Sequence, residues 1–268
     1  IRMPRVDLWR RAPVVAAVAA GALAAGAIQP ADAAAADCAV GSRMIILAHT
    51  DDDLVFLNPD VAKDIASGAC VRTVYLTAGD EDRAQWYWGA RERGIMAAYA
   101  QMAGVANAWS TGDAGIAGHP ILVRTLVGAP RISLAFMRMP DGILGTGGTL
   151  YGNQSLKQLF NGDITQIDTV DGTTSYTAAQ LRQTLTALMA DRQPQVIRIQ
   201  DYKGNYLDPD HSDHLSAAFF SDQAQQNYTA PHVTVGYKDN PTRDLPANVA
   251  GQELTTNLNA WGAYVPFD

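Results

Sequence analysis

Met44-Ile45-Ile46-Leu47-Ala48 runs without a break into His49-Thr50-Asp51-Asp52-Asp53. Five apolar residues in a row, with no polar alternation, suit a parallel strand buried on both faces. The abrupt change to imidazole and carboxylate marks where that strand ends. Working outward, the pattern repeats. Asn58-Pro59 reads as a cap followed by Pro in a first helical turn, Val61, Ala62 and Ile65 as an apolar face, and Gly68 as a stop. Val71 to Leu76 is a second strand, and Gly89 to Met102 a helix closed by Gly104. Ile132 to Met137 is a further strand, leading into Arg138-Met139-Pro140-Asp141-Gly142. Thr177 and Gln180 form a capping box ahead of Leu181, Leu185, Leu188 and Met189. Val196 to Ile199 is a strand, Leu215 and Phe219 belong to a helix, and His232 to Tyr237 is a last strand. Alternating strands and helices predict an α/β fold: a Rossmann-like, mostly parallel sheet with helices on both faces. Ligands of such sheets bind beyond the carboxyl ends of the strands, so the active site is expected there. The stretch from Asp141 to Thr177 is rich in Gly, Asn and Thr and reads as loop or lid, and its Gly145-Thr146-Gly147-Gly148 run lacks the strand-to-helix setting of a phosphate cradle.

A second polar cluster, His211-Ser212-Asp213-His214, follows the Val196 strand. Three of the chain's five histidines therefore sit in two short segments, beside four aspartates, at ends of strands in the same inferred sheet. His49 and Asp52, three apart at a turn, can face one point, and His214 completes a set of three zinc ligands with a fourth position open. Zn2+ is the expected cofactor; calcium is a poorer match because it prefers an all-oxygen shell. Asp51, beside the ligands but not needed on the metal, is a candidate general base. His211 shares the side of the turn with His214 and as an imidazolium could stabilise an oxyanion or protonate a leaving group. Asp213 is placed to orient His211 or to tune its basicity, and Asp53 to brace the first loop. His119 and His232 read as loop and strand-start residues.

Composition narrows the class. The 268-residue chain is 47% hydrophobic and 18% charged, with a formal net charge of -7, so nucleic acid is not an expected partner. Arg5, Arg10 and Arg11 precede an Ala- and Val-rich run from Ala12 to Ile28 and then small residues. Residues 1–36 thus read as a signal peptide, with a single domain over 37–268 and a secreted product; membrane association is expected only through that segment if it is left uncleaved. The two cysteines, Cys38 and Cys70, each precede a strand expected to be a parallel neighbour of the other, so a disulfide between them is expected.

Ala48-His49-Thr50-Asp51-Asp52-Asp53 resembles the Ala-His-Pro-Asp-Asp-Glu signature of the LmbE-like, or PIG-L, zinc N-deacetylases, and His211-Ser212-Asp213-His214 resembles their second signature. The similarity runs from about Ser42 to Tyr237. It implies removal of acetyl from an N-acetylglucosaminyl unit. It also implies His49, Asp52 and His214 as zinc ligands, Asp51 as base, His211 as acid or electrostatic partner, and Arg91 and Asp141 as substrate-binding residues. Thr50 in place of Pro, Asp53 in place of Glu, and Gly94 where a glutamate often follows the arginine depart from the pattern. Export and the cysteine pair are similar to the deacetylases of glycopeptide antibiotic biosynthesis, of the teicoplanin kind. That implies a glycoside or glycopeptide substrate carrying N-acetylglucosamine, with apolar walls offered by Gln85-Trp86-Tyr87-Trp88 and the loop around Tyr151. Alternatives are a deacetylase of cell-wall or free amino-sugar fragments and, from another class, a secreted sugar-binding protein with a structural metal.

Overall fold

A computed structural model describes Cys38 and residues 40–268; the expected signal segment lies outside the described residues. Seven strands form one sheet in the order β3-β4-β5-β2-β1-β8-β9. The five strands β5 (Ile132–Met139), β2 (Cys70–Thr77), β1 (Ser42–Leu47), β8 (Val196–Gln200) and β9 (Val233–Tyr237) are mutually parallel. β3 (Trp109–Asp113) and β4 (Leu122–Leu126) add an antiparallel edge, and β6 (Ile167–Asp168) and β7 (Ser175–Tyr176) form a separate antiparallel pair. The fold is thus the expected mostly parallel α/β sheet, plus a hairpin that the sequence reading did not contain.

The apolar run that opens the chain's first unit lies at the centre. Met44, Ile46 and Ala48 point into one core layer, and Ile45 and Leu47 into the other; all five are fully buried. This is the period-two alternation of a strand covered on both faces. α4 (Ala178–Arg192) and α5 (Ser212–Gln225), with the short α3 (Leu156–Asn161), cover the first face. α1 (Asp60–Ala66), α2 (Gln85–Ala103) and α6 (Gly251–Tyr264) cover the second. The capping box on α4 forms as expected: Thr177 Oγ1 accepts from Gln180 N, and Gln180 Oε1 accepts from Thr177 N. α2 ends at Gly104 in the left-handed region (φ 65°), where a Cβ is disfavoured.

The chain runs from β1 toward β2 and β5 on one side, then returns to place β8 and β9 on the other. The order therefore reverses between β1 and β8, which opens a crevice at their carboxyl ends. At the opposite end Ser42 pairs with Cys70 in the β1–β2 register, and Cys38 is disulfide-bonded to Cys70 across a Cα–Cα distance of 5.1 Å. No helix among the described residues is long and apolar enough to cross a membrane.

One expectation needs correction. The Asp141–Thr177 stretch is not all loop: Leu156, Leu159, Ile167 and Tyr176 are at most 1% exposed and form part of the core. Gly147 and Gly148 form no phosphate cradle, because Gly148 lies against Asp82, whose Oδ1 accepts from Leu150 N and whose Oδ2 accepts from Thr149 Oγ1. A carboxylate there repels an anion.

Candidate metal centre and catalytic cleft

The loop after β1 is fixed from below. Asp53 is fully buried; its Oδ2 accepts from Tyr75 Oη on β2 and Tyr99 Oη on α2, each at 2.6 Å, and its Oδ1 accepts from Leu54 N. It braces the loop as expected. The shorter Asp, where the similar family has Glu, is met by two tyrosines that reach it. Burial raises the Asp53 carboxyl to about 7 against these hydrogen bonds. Asp52 is also anchored: its Oδ2 accepts from His49 N (2.7 Å) and from Gln200 Nε2 (3.0 Å) at the end of β8. Gln200 Oε1 in turn accepts from Ala48 N. One glutamine thus holds the ends of β1 and β8 together across the crevice.

Ligand-type atoms of three residues converge above this support, Asp52 offering a different oxygen to each imidazole. His49 Nδ1 is 3.2 Å from His214 Nε2 and 3.5 Å from Asp52 Oδ2, and His214 Nε2 is 3.2 Å from Asp52 Oδ1. Four ligands held tetrahedrally at about 2.0–2.1 Å from an ion would be about 3.3 Å from one another, so the spacing fits a zinc-sized ion. Both imidazoles are oriented through their other nitrogen. His214 Nδ1 is 2.8 Å from Asp210 Oδ1, and His49 Nε2 faces Asp213 Oδ2 at 3.4 Å and Asp141 Oδ2 at 3.7 Å. Such carboxylate–imidazole pairs fix the tautomer of a metal ligand. The charges agree. Burial alone would lower both imidazole pKa values, yet Asp52 with Asp213 and Asp141 holds His49 well above its usual value, and Asp52 with Asp210 raises His214 to about 10. Asp52 is held well below the carboxylate range, burial notwithstanding, by His214 and His49. A basin that draws positive charge onto its own imidazoles is suited to a cation.

Asp213 is fully buried and accepts from Gly142 N (2.6 Å) through Oδ2. That oxygen is nearer to His49 Nε2 than to His211 Nδ1, at 3.9 Å, so Asp213 orients His49 where the sequence reading assigned it to His211. His211 instead caps α5: its Nδ1 accepts from Asp213 N at 3.2 Å. An Nδ1 that accepts leaves the proton on Nε2, and that nitrogen lies 3.8 Å from Asp141 Oδ1. Burial, and then the charge of His49, lower the His211 pKa. Both features favour the neutral imidazole, with Nε2–H as a donor, over the expected imidazolium.

Asp51 is ion-paired with Arg91 (Oδ2 to Nη2, 2.7 Å). Burial pushes its pKa up and Arg91 pulls it back, with a net position above the usual range. Arg91, only 5% exposed, also donates Nη1–H to Gly79 O and Nε–H to Tyr264 Oη (2.8 Å), and its Nε lies 3.2 Å from Asp268 Oδ1. Most of its fork is thus spent on the protein. Gly94 has a physical reason: a Cβ there would meet the Tyr264 ring at 2.8 Å, so α6 can lie against α2 and bring Tyr264 to Arg91.

His49, Asp51, Asp52, Arg91, Asp141, His211 and His214 all line one cleft of about 650 Å3, together with Val55, Phe56, Ile143, Leu144, Glu81 and Asn240. Every metal, catalytic and substrate residue expected from sequence is at this cleft except Asp213, which lies beneath it. The tryptophan pair does not line it. Trp88 is buried, with the Arg138 guanidinium 4.9 Å from its ring centroid, and Trp86 is exposed. The sequence reading missed Asp210, Gln200 and Tyr264. Asp210 had a local signal, four residues ahead of His214; the other two reach the site only through the fold.

No protein-family model matches the chain, and no curated protein matches it. Solved structures share its fold. The A40926 pseudoaglycone deacetylase Dbv21 is similar with a TM-score of 0.50 at 12% identity, covering 85% of this chain and 81% of that one. A deacetylase of the teicoplanin biosynthesis pathway in complex with teicoplanin is similar with a TM-score of 0.51 at 12% identity, covering 83% and 86%. The same pathway's deacetylase in another complex gives 0.50 at 14% identity, covering 84% of each chain.

Proposed function

We propose that this chain is a secreted, zinc-dependent N-deacetylase that hydrolyses the acetamide of an N-acetylglucosaminyl unit on a glycopeptide pseudoaglycone. The observation that carries the reading is the meeting of His49 Nδ1, His214 Nε2 and Asp52 at 3.2–3.5 Å beside a carboxylate, Asp51, that is not part of the set. The shared fold with deacetylases of glycopeptides supports it.

His49, Asp52 and His214 would hold the ion. When bound, zinc supplies Lewis acidity and brings the pKa of a water down to about 7. The remaining work falls to side chains. Arg91 binds Asp51 through Oδ2, so Oδ1 is available to take a proton from the attacking water. The raised pKa of Asp51 brings it nearer to neutrality, which suits a general base. His211, neutral with its proton on Nε2, donates to the oxygen that becomes negative as the acetyl carbon turns tetrahedral. Collapse breaks the C–N bond, and the proton on Asp51 passes to the departing amine. Acetate and a free amino sugar result. Asp141, whose Oδ1 already accepts from Ile143 N, presents its carboxylate to a sugar hydroxyl on the cleft floor.

The rim supports this choice of acceptor. Val55 is 50% exposed and Leu144 91% exposed beside the cleft, and apolar residues left open to water favour a large, partly aromatic acceptor over a free sugar. The disulfide and the signal-like N-terminus support secretion. The test is acetate release from an N-acetylglucosaminyl glycopeptide aglycone, from chito-oligosaccharides and from N-acetylglucosamine, before and after chelation and zinc return. The expected result is zinc-restored release, fastest on the glycopeptide. Release from none of the three with zinc present would end the proposal; faster release from chito-oligosaccharides would move the acceptor to cell-wall fragments.

A further inference from the structure

The opposite end of the sheet holds a different arrangement. Arg72, third residue of β2, is only 3% exposed. Its Nε donates to Ser133 Oγ at 2.6 Å, on the neighbouring strand, and its Nη2 is buried with no hydrogen-bond partner among the described residues. Arg131, just before β5, donates Nη2–H to Ile65 O, while its Nη1 is likewise buried and unpartnered. Arg192 ends α4; its Nε is buried and lies 3.0 Å from Asp191 Oδ2 without hydrogen-bond geometry. All three arginines line one small cavity of about 90 Å3, with Ser42, Ser133, Asp191 and the Cys38–Cys70 bridge.

A guanidinium keeps its charge in proteins, and a buried charge without a partner is strongly destabilising. Here a buried Arg72 and two partly exposed arginines, Arg131 and Arg192, lie around one void; among the described residues its lining holds one carboxylate, Asp191, which faces Arg192 at 3.0 Å and whose side chain is 54% exposed. Burial, and then the charge of Arg192, both act to lower the Arg72 pKa, so the two cations feel each other directly. The missing element is negative charge. The cavity is too small for a sugar, and planar forks of N–H donors match the oxygens of a compact oxyanion. It lies at the amino ends of the strands, roughly 20 Å along β2 from the catalytic cleft.

We propose that Arg72, Arg131 and Arg192 form a binding site for one tetrahedral oxyanion of the phosphate or sulfate kind. The anion ties the start of β2, the turn before β5 and the end of α4 together beside the disulfide.

Calorimetric titration of the full chain with sulfate and with phosphate, at ionic strength matched by chloride, tests it. The expected result is saturable one-to-one binding, with a thermal midpoint that rises with either oxyanion and not with chloride. Arg192→Gln, at a partly exposed position where folding is least at risk, should weaken binding about tenfold or more by removing a charge-assisted contact; Arg72→Leu should abolish it. His214→Ala should leave it intact, which separates this site from the cleft. Absence of saturable binding at millimolar sulfate would overturn the proposal. Equal affinity in Arg192→Gln, or loss of binding in His214→Ala alone, would overturn it as well.

Discussion

The two ends of this one sheet carry opposite charge. At the carboxyl ends, Asp51, Asp52, Asp141, Asp210 and Asp213 surround His49, His211 and His214. At the amino ends, Arg72, Arg131 and Arg192 surround a void. Among the described residues both ends hold buried polar atoms that make no hydrogen bond: His49 Nε2, which faces Asp213 at 3.4 Å, and Asp213 Oδ1 above, and the arginine nitrogens below. They differ in how the surplus is met. The upper basin corrects itself in part, since imidazoles can take protons that the carboxylates offer. The lower one has no titratable remedy, because a guanidinium cannot discard its charge. A cation at one end and an anion at the other would complete both.

The largest expected effect lies at the upper end. Replacing His214 with Ala removes a proposed metal ligand and leaves Asp52 and Asp210 without their imidazole; bound zinc and acetate release should both fall to background, read by metal analysis and acetate assay. Retention of zinc would show that another group, such as His211, which lies within reach of the same cluster, takes its place. Asp51→Asn should keep zinc near normal and lower kcat by about 10²–10⁴-fold, the usual worth of a general base; normal turnover would remove it from that role. Tyr264→Phe deletes the hydroxyl on Arg91 without touching the cleft. It should lower kcat several-fold with little change in KM or zinc content, since Arg91 would position Asp51 less well; a KM effect alone would instead make Arg91 a substrate contact.

The smallest effect concerns stability. The folded Asp53 carboxyl titrates at about 7, above its unfolded value. A raised carboxyl favours folding in its protonated form, so this contribution is full at low pH and is lost as pH rises from the unfolded value through about 7. Asp53→Asn, which cannot ionise, should therefore gain on the parent chain between pH 5 and pH 8 in denaturant midpoint. A difference independent of pH would mean that Asp53 stays charged throughout.

Much of the site was legible before the fold was known, because its residue types are rare and concentrated. His49, Asp51 and Asp52 sit within one turn, and His211 and His214 within another, so local spacing carried them. Asp213 was found, with its charge acting on His211, but its nearer neighbour was not: its side chain turns under His49, a residue 164 positions away, and no local pattern encodes that. Arg91 was expected to bind substrate, yet its hydrogen bonds to Gly79 and Tyr264 show a second duty in holding Asp51. The Asp141–Thr177 stretch was read as loop because its core residues, Leu156, Leu159, Ile167 and Tyr176, are spread among glycines and threonines without a helical or strand period.

The sequence by itself determined the order of the five parallel strands and most of the helices between them, the cysteine pair and the membership of both polar clusters. These rest on local signals: an unbroken apolar run, capping residues, and clustered imidazole and carboxylate. The tertiary structure alone decided which nitrogen of each histidine faces the ligand set, which carboxylate orients which imidazole, how α6 brings Tyr264 to Arg91, and that three arginines share one void. Those are contacts between residues far apart in the chain, set by packing and by the demand that buried charge find a partner.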